Sequence, residues 1–122
     1  MSAAELTRQL YEAYARRDWE RAARCLHEDA VLEMPATRER LAGRDGVIGF
    51  QRDYPEPWGE LSMLRVVDAG DTAAAEVEVV AAEATFRMAA FWRSRDGLLH
   101  EGVEYWITVG GEEPPSRRRA PA

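Results

Sequence analysis

The chain has 122 residues, of which 46% are hydrophobic and 31% charged. This length suits one domain, and the apolar content excludes a disordered or collagen-like chain. No apolar run is long enough to cross a bilayer, and the first ten residues lack the layout of a signal peptide. The single cysteine, Cys25, cannot form an internal disulfide. We therefore expect a cytoplasmic domain.

The charge balance argues against two classes of function. All 16 basic residues are arginine, and 22 acidic residues bring the net charge to −6. A negative domain repels phosphate backbones, so we expect no nucleic-acid partner and no membrane partner. Without lysine, no lysine Schiff base can form. The cluster at residues 117–119 is interpreted as a solvated tail, with contact to a polyanion as the alternative.

Two helices are predicted first. Residues 3–17 contain no glycine or proline, and apolar side chains recur there at three- and four-residue spacing. Asp18 is predicted to cap a second, shorter helix that runs to about Leu26, with Trp19 on its buried face. The pair should pack antiparallel across a tight turn.

A short strand and a third helix should follow. Residues 27–29 are expected to break the second helix, and residues 30–34 read as a strand that Pro35 stops. A polar loop is predicted up to Gly43. Asp45 is the expected cap of the third helix, which Pro55 and Pro57 should end.

The second half of the chain has the pattern of strands. Four are predicted, over residues 62–69, 72–82, 84–95 and 98–109, and Asp96-Gly97 is a strong hairpin signal. We place one domain at residues 1–111 and a Pro/Arg-rich tail at 112–122. Three helices followed by a strongly bent antiparallel sheet predict an α+β fold with one helix-covered face.

This order of elements resembles the SnoaL-like branch of the nuclear transport factor 2-like superfamily, and several short segments carry the resemblance over residues 4–110. The matching segments are Tyr11 to Asp18-Trp19, His27-Glu28-Asp29-Ala30-Val31, Glu33-Met34-Pro35, Glu39-Arg40-Leu41-Ala42-Gly43-Arg44-Asp45, Arg95-Asp96-Gly97-Leu98-Leu99 and Glu104-Tyr105-Trp106. The resemblance implies a cone-shaped half-barrel with a ligand pocket on its concave face and a dimer packed through the convex face. Members include ketosteroid isomerases, epoxide hydrolases, polyketide cyclases, dehydratases and proteins without known activity, so the site must decide the function.

The resemblance to the steroid isomerases of this fold implies three catalytic polar residues, and this sequence has an apolar residue at each matching position. Their general-base Asp corresponds to Met34, their second catalytic Asp to Ala90, and their oxyanion Tyr to Leu10, with Tyr11 one place away. The isomerase mechanism is therefore not expected in its usual form.

This sequence retains more of the catalytic residues that the resemblance to epoxide hydrolases and polyketide cyclases implies. The hydrolases use an Arg and two acids, and Glu104 occupies the place of the acid on the last strand. The second acid could correspond to Glu78, but the Arg position is Glu76. A cyclase needs one acid that moves a proton, which Glu104 or His100 could supply.

Strand alternation sorts the last hairpin by face. If Glu104 points into the cone, His100 and Trp106 do so as well, and so do Phe86, Met88 and Trp92 of the preceding strand. Burial there would raise the pKa of Glu104. The same alternation sends a second set of apolar residues to the convex face; these are Phe91, Val103, Tyr105 and Ile107.

The candidate catalytic residues are thus Glu104, His100 and Glu33, the last if Leu32 and Met34 face outward. Each has a plainer interpretation: Glu104 could pair with Arg87 or Arg93, Glu33 with Arg40 or Arg44, and His100 could be exposed. The candidate substrate-binding residues are Tyr14, Tyr54, Phe86, Met88, Trp92 and Trp106, with packing as the alternative for each.

The sequence lacks the residue patterns for zinc binding, for phosphate binding and for a Cys–His nucleophile. Two distant histidines and one cysteine give no zinc spacing, no Gly-rich phosphate loop is present, and Cys25 and His27 cannot share a helix face. Two functions remain open. One is a cofactor-independent enzyme acting on an apolar molecule, of isomerase, cyclase, lyase or epoxide hydrolase type. The other is a non-catalytic ligand-binding or interaction domain of the same fold.

Overall fold

A computed structural model describes residues 1–54 and 59–118, and these form three helices and six strands. In chain order they are α1 (Ala3–Ala15), α2 (Trp19–Arg24), β1 (Leu26–Met34), β2 (Glu39–Ala42), α3 (Arg44–Arg52), β3 (Glu60–Ala69), β4 (Thr72–Val80), β5 (Thr85–Arg95) and β6 (Leu98–Thr108), followed by a short 3-10 turn at Ser116–Arg118. No helix in this described part of the chain is long and apolar enough to cross a membrane.

The strands form one sheet in the order β2-β1-β6-β5-β4-β3. All neighbours pair antiparallel except β1 and β6, which run parallel, so the sheet is mixed rather than purely antiparallel as predicted. Register shifts in three of the five pairings bend it. The helices cover one face, with α1 in contact with β3 to β6. This confirms the predicted α+β architecture of helices on a curved, cone-like sheet.

The helix caps agree in part with the sequence. Asp18 accepts a hydrogen bond from the backbone N–H of Arg21 and caps α2 as predicted. The first helix ends two residues earlier than expected because Arg17 adopts a left-handed φ of 55°. The predicted cap of α3 at Asp45 is wrong, since the cap residue is Gly43 with a φ of 83°. Pro55 and Pro57, the predicted end of α3, lie outside the described residues.

The first sheet edge differs most from the prediction. Helix α2 ends at Arg24, before the predicted end at about Leu26, and β1 begins at Leu26, so residues 27–29 belong to the strand instead of ending the helix. The segment predicted as a polar loop contains β2, which pairs with β1 through Leu32–Leu41 and Glu33–Arg40. A short, charged edge strand carries no alternating apolar pattern, so its sequence resembles a loop.

The C-terminal strands lie close to their predicted bounds. Asp96 and Gly97 have φ values of 53° and 78°, the two left-handed residues that a tight type I′ hairpin needs. In β4 alternate side chains are buried, namely Ala73, Ala75, Val77 and Val79. In the tail, Arg119 lies outside the described residues.

Candidate functional site

A cavity of about 430 Å³ lies between the helices and the concave face of the sheet. Its wall is mostly apolar, with a few hydroxyl, amide and carboxyl groups. The lining residues are Tyr11, Tyr14, Met34, Ala36, Thr37, Glu39, Phe50, Gln51, Tyr54, Leu61, Val79, Phe86, Met88 and Trp106. None of these residues is basic. The volume and the lining suit a small, largely apolar molecule.

Glu104 is buried behind this wall. It lies on β6 directly opposite Ala90 of β5, and only 1% of its surface is exposed. One carboxylate oxygen, Oε2, accepts a hydrogen bond of 2.7 Å from the Tyr11 hydroxyl. The other, Oε1, accepts one of 3.0 Å from the indole N–H of Trp106. Both oxygens of a buried acid are therefore held by side chains that line the cavity.

The same hydroxyl has a second partner. The indole N–H of Trp92 donates to the Tyr11 oxygen across 2.9 Å, so donors and acceptors run from Trp92 through Tyr11 to Glu104. Trp92 can occupy this place because its partner on the neighbouring strand β6 is Gly102. A Cβ at residue 102 would lie 2.6 Å from the Trp92 ring. Tyr11 and Trp106 form the cavity wall, with Glu104 and Trp92 behind them.

Burial controls the acidity of this group of residues. It raises the pKa of Glu104, and the hydrogen bonds from Tyr11 and Trp106 oppose that rise only in part. The pKa of Tyr11 is raised well above its ordinary value, first by burial and then by the Glu104 charge. The pKa of Tyr14 is raised for the same two reasons. The tyrosines therefore keep their protons, and Glu104 holds its proton to a higher pH than an exposed glutamate does.

Comparison with known proteins places the chain. The sequence profile of the SnoaL-like domain family matches residues 7–102, most of the chain. The chain belongs to the SnoaL-like family. No curated protein sequence matches this SnoaL-like chain significantly.

Solved structures agree with this assignment. A candidate ketosteroid isomerase from Kribbella flavida is 31% identical, with a TM-score of 0.85 over 98% of this chain and 90% of that one. An NTF-2-like protein of unknown function from Burkholderia xenovorans is 18% identical, with a TM-score of 0.77 and coverage of 93% and 88%. An LEH-like epoxide hydrolase from Mycobacterium tuberculosis is 17% identical, with a TM-score of 0.72 and coverage of 86% and 82%. The last two show the fold alone.

Five of the six predicted substrate-binding residues of this SnoaL-like protein line the cavity: Tyr14, Tyr54, Phe86, Met88 and Trp106. The sixth, Trp92, is buried behind Tyr11 and donates to its hydroxyl instead. Strand alternation placed all the β5 and β6 members on the concave side, but it could not show that a helix residue would cover Trp92.

The structure does not bring His100 to Glu104. The β5–β6 pairing shifts register between Arg93 and Ser94, opposite His100, so Leu99 rather than His100 is buried on the inner face. The His100 ring instead meets His27, edge to face, with 5.2 Å between the ring centroids. The expectation that alternation carries His100 inward was wrong, because a bulge interrupts the alternation.

Glu33 lies on the outer side of the sheet. Leu32 and Met34 are buried and Glu33 is exposed, with its carboxylate 3.9 Å from Arg40. The predicted facing of this strand is therefore reversed, because Leu32 and Met34 bury more apolar surface than Val31 does alone. The plainer interpretation of Glu33, an ion pair with Arg40, describes its position.

Tyr11 is the residue that the sequence comparison missed. Counting from the helix turn put the isomerase tyrosine at Leu10, but Leu10 is core and Tyr11 lines the cavity. The three-residue spacing of Tyr11 and Tyr14 on one helix face was the available signal. Likewise, the second isomerase acid was matched to Ala90, and Glu104 stands directly across from Ala90 on the next strand.

The epoxide hydrolase arrangement is not assembled. Glu78 is bound by Arg87 at 2.9 Å, and Glu76 lies 3.4 Å from Arg65. Neither glutamate lines the cavity. Within residues 1–54 and 59–118 no group of three or more His, Cys, Asp or Glu side chains is arranged to hold a metal ion.

Proposed function

We propose that this protein binds a small, largely apolar molecule in the cavity, and that Glu104 moves a proton to or from that molecule through Tyr11. One observation carries the proposal: Tyr11 lines the cavity, and its hydroxyl lies 2.7 Å from the carboxylate of Glu104, which is buried behind the wall. A hydroxyl between a ligand and a buried acid can pass on a proton without exposing the acid to solvent.

Proton transfer fits this geometry better than activation of water does. Both Glu104 oxygens are engaged, by Tyr11 and Trp106, and the neighbouring acid Glu78 is held by Arg87. A water-activating site needs a carboxylate that can reach the attacking water. Isomerase, cyclase and lyase reactions remove a proton from the substrate or return one to it and need no attacking water, so we favour them over hydrolysis.

The test uses two probe compounds of the kinds that the relatives' names suggest. One is 3-cyclohexenone, whose isomerisation to the conjugated ketone is followed by ultraviolet absorbance. The other is cyclohexene oxide, whose opening is followed by diol formation. We expect turnover of the ketone to fall at least tenfold in both Glu104→Gln and Tyr11→Phe. Glu101→Gln, an exposed glutamate of the same strand, is the matched control and should retain activity. Unchanged turnover in both inner variants would refute the proton path.

A second candidate is a binding domain without catalysis. It is favoured by the fact that Glu104 does not reach the cavity surface and that its hydrogen bonds tie α1 to β6, as a purely structural acid would. In that case ketones bind, as a thermal shift would show, but no probe turns over and Glu104→Gln changes stability alone.

We further propose that the partner on the outer face of the sheet is a second copy of this chain. Phe91, Tyr105 and Ile107 face outward as predicted, and each is about half exposed or more. Ion pairs such as Arg87–Glu78 and Arg93–Glu101 lie on the same side of the sheet and leave this face with both signs of charge. Such a face can match itself across a two-fold axis.

A cytoplasmic location stays a prediction.

A further inference from the structure

We propose that the ligand of the cavity carries a positively charged amine at one end of an apolar body, and that Glu39 is the residue that binds the amine. This rests on the proposed function, because it needs a ligand in the cavity. It goes further by naming the charge of the ligand and the side chain that selects for it. Glu39 takes no part in the proposed proton transfer, so the two proposals can be tested separately.

The pairing of the first two strands places the side chain of Glu39 on the concave side of the sheet. Glu39 of β2 lies directly opposite Met34 of β1, and residues directly opposite each other in an antiparallel pair project from the same face. Met34 is buried and lines the cavity. The next pair, Glu33 and Arg40, lies on the outer face of the sheet. Glu39 therefore faces the cavity, and it is one of the lining residues.

The carboxylate of Glu39 has one oxygen engaged and one oxygen available. The Thr37 hydroxyl, from the turn before β2, donates to Oε1 across 2.6 Å. Because Thr37 also lines the cavity, this bond keeps the carboxylate beside the cavity wall. Within residues 1–54 and 59–118, the other oxygen forms no hydrogen bond and the carboxylate forms no ion pair with an arginine. A ligand cation could pair with it without displacing a protein cation.

The arginines closest in sequence to this part of the cavity are directed elsewhere. Arg40 lies on the outer face, and Arg38 is exposed and is not a lining residue. At the end of α3, the carboxylate of Asp53 accepts two hydrogen bonds of 3.0 Å from Arg52. The net charge of the chain, −6, also attracts cations from solution. The cavity thus presents an acid that no basic residue of its lining neutralises.

The aromatic rings of the wall suit a cation that has an apolar body. Phe50 and Tyr54 both line the cavity and meet edge to face, with 6.1 Å between their ring centroids. Tyr54 is about half exposed, which places these rings toward the entrance, as Glu39 is. The face of an aromatic ring attracts a cation within about 6 Å of its centre. A ligand carboxylate or phosphate would instead meet Glu39 with no cation to pair with.

The sheet also limits the length of the ligand. Glu39 and Glu104 are two strands apart in the order β2-β1-β6. Both lie in one row with Met34, since Met34 is opposite Glu39 and the preceding residues, Glu33 and Val103, pair with each other. Neighbouring strands are about 4.8 Å apart, so the row from Glu39 to Glu104 spans about 10 Å. An amine bound at Glu39 thus leaves room for a compact cyclic hydrocarbon between Glu39 and the inner wall.

The experiment compares three probes that share one rigid hydrocarbon cage and differ in charge. They are adamantylamine, which is a cation at neutral pH, the uncharged adamantanol, and adamantane carboxylate, which is an anion. Binding is measured by isothermal titration calorimetry at low ionic strength. The ratio of amine to alcohol affinity isolates the charge, because the contribution of the cage cancels. In the native protein we expect the amine to bind about three- to tenfold more tightly than the alcohol, and the carboxylate to bind most weakly.

Three variants assign this preference to Glu39. Glu39→Gln keeps the shape of the side chain and should lower the amine-to-alcohol ratio about two- to fivefold. Glu39→Arg reverses the charge, so the carboxylate should then bind more tightly than the amine. Glu28→Gln is the matched control: Glu28 is exposed on β1 and does not line the cavity, so its loss should leave the ratio unchanged. Circular dichroism checks that each variant is folded.

A measurement on the native protein does not depend on any variant. Glu39 is exposed, so salt should weaken its attraction for the amine, since the screening length falls from about 30 Å at 0.01 M to about 8 Å at 0.15 M salt. The amine-to-alcohol ratio should therefore fall over this range of salt concentration. A ratio near one at low salt, or one that salt does not change, would count against a charged anchor in the cavity.

The outcomes separate this inference from the proposed function. If the probes bind but the amine has no advantage over the alcohol, or keeps its full advantage in Glu39→Gln, the inference is overturned and the proposed binding function stands. Tightest binding of the carboxylate to the native protein would overturn it as well. If none of the three probes binds, the proposed binding of apolar molecules fails, and this inference fails with it.

Discussion

The Tyr11 hydroxyl donates to Glu104 across 2.7 Å, although 93 positions separate the two residues in the sequence. The bond joins the first helix to the last strand, and both residues are at most 1% exposed. Inside a protein such a charge-assisted bond is strong. Removing one of its partners is costly, because the other partner is buried and cannot form a hydrogen bond to water instead.

The first prediction concerns the stability contributed by that hydroxyl. Tyr11→Phe removes the donor to Glu104 Oε2 and the acceptor of the Trp92 N–H, so these two buried polar atoms lose their partner, while Glu104 Oε1 keeps its bond from Trp106. We expect the free energy of unfolding to fall by about 2 kcal/mol or more, measured by urea denaturation. Tyr105→Phe, at a half-exposed tyrosine, should change it by less than about 0.5 kcal/mol. Equal stabilities of the two variants would contradict the proposed strength of the bond.

The second prediction is a pH dependence of stability. The pKa of Glu104 is raised above its ordinary value of 4.5. The unfolded chain titrates at the ordinary pKa and the folded protein at the raised one. At a pH between the two, folded Glu104 still holds a proton that the unfolded chain has lost, so the free energy of unfolding falls as the pH rises. Glu104→Gln lacks this proton, and all other groups cancel in the comparison. We therefore expect the native protein to lose stability relative to Glu104→Gln as the pH rises through this window. Parallel denaturation curves over that range would contradict the raised pKa.

The faces of the regular strands could be predicted from the sequence, because alternation follows from strand geometry alone. Phe86, Met88 and Trp106 were placed on the inner side this way, and Phe91 and Ile107 on the outer side. Alternation fails where the register shifts. His100 stands at such a point, and nothing in the residues around it signals the bulge.

The proton path itself could be predicted only in part. Glu104 was identifiable as a candidate buried acid through the resemblance to the family, because it occupies the place of an acid on the last strand; alternation alone left its facing open. Its partner was not, because whether Leu10 or Tyr11 reaches the cavity depends on how α1 is rotated against the sheet. That rotation is set by the packing of the whole helix face, at a precision of one residue that a periodic pattern does not reach.

The third prediction tests the space that Gly102 leaves for Trp92. Gly102→Ala would put a Cβ at 2.6 Å from the Trp92 ring, which is itself fully buried. The ring must move and weaken its bond to Tyr11, so we expect a loss of about 1–3 kcal/mol in unfolding free energy. Gly46→Ala is the matched control: it lies inside α3 with open space around it and should stabilise by about 0.5–1 kcal/mol. A Gly102→Ala variant as stable as the native protein would show that Trp92 is free to shift.

The fourth prediction concerns Thr7, one helical turn before Tyr11. Its hydroxyl is buried and finds no hydrogen-bond partner among the described residues. Thr7→Val keeps the shape and removes the polar atom, so we expect the protein to gain about 1 kcal/mol, seen as a higher Tm. Thr7→Ser keeps the hydroxyl and removes a buried methyl group, and it should destabilise. A loss of stability in Thr7→Val would mean that the hydroxyl has a partner after all.

The fifth prediction tests the outer face of the sheet as a surface for a second copy. Ile107 is 61% exposed, and Phe91 and Tyr105 stack edge to face nearby with 6.3 Å between their ring centroids. Exposed apolar groups gathered on one sheet face favour association. Ile107→Asp would bury a charge in such an interface, so we expect sedimentation to change from dimer to monomer at micromolar concentration. Glu60→Gln, at an exposed position where β3 begins, is the control and should leave the dimer unchanged. A native protein that sediments as a monomer would rule this interface out, whatever the variant does.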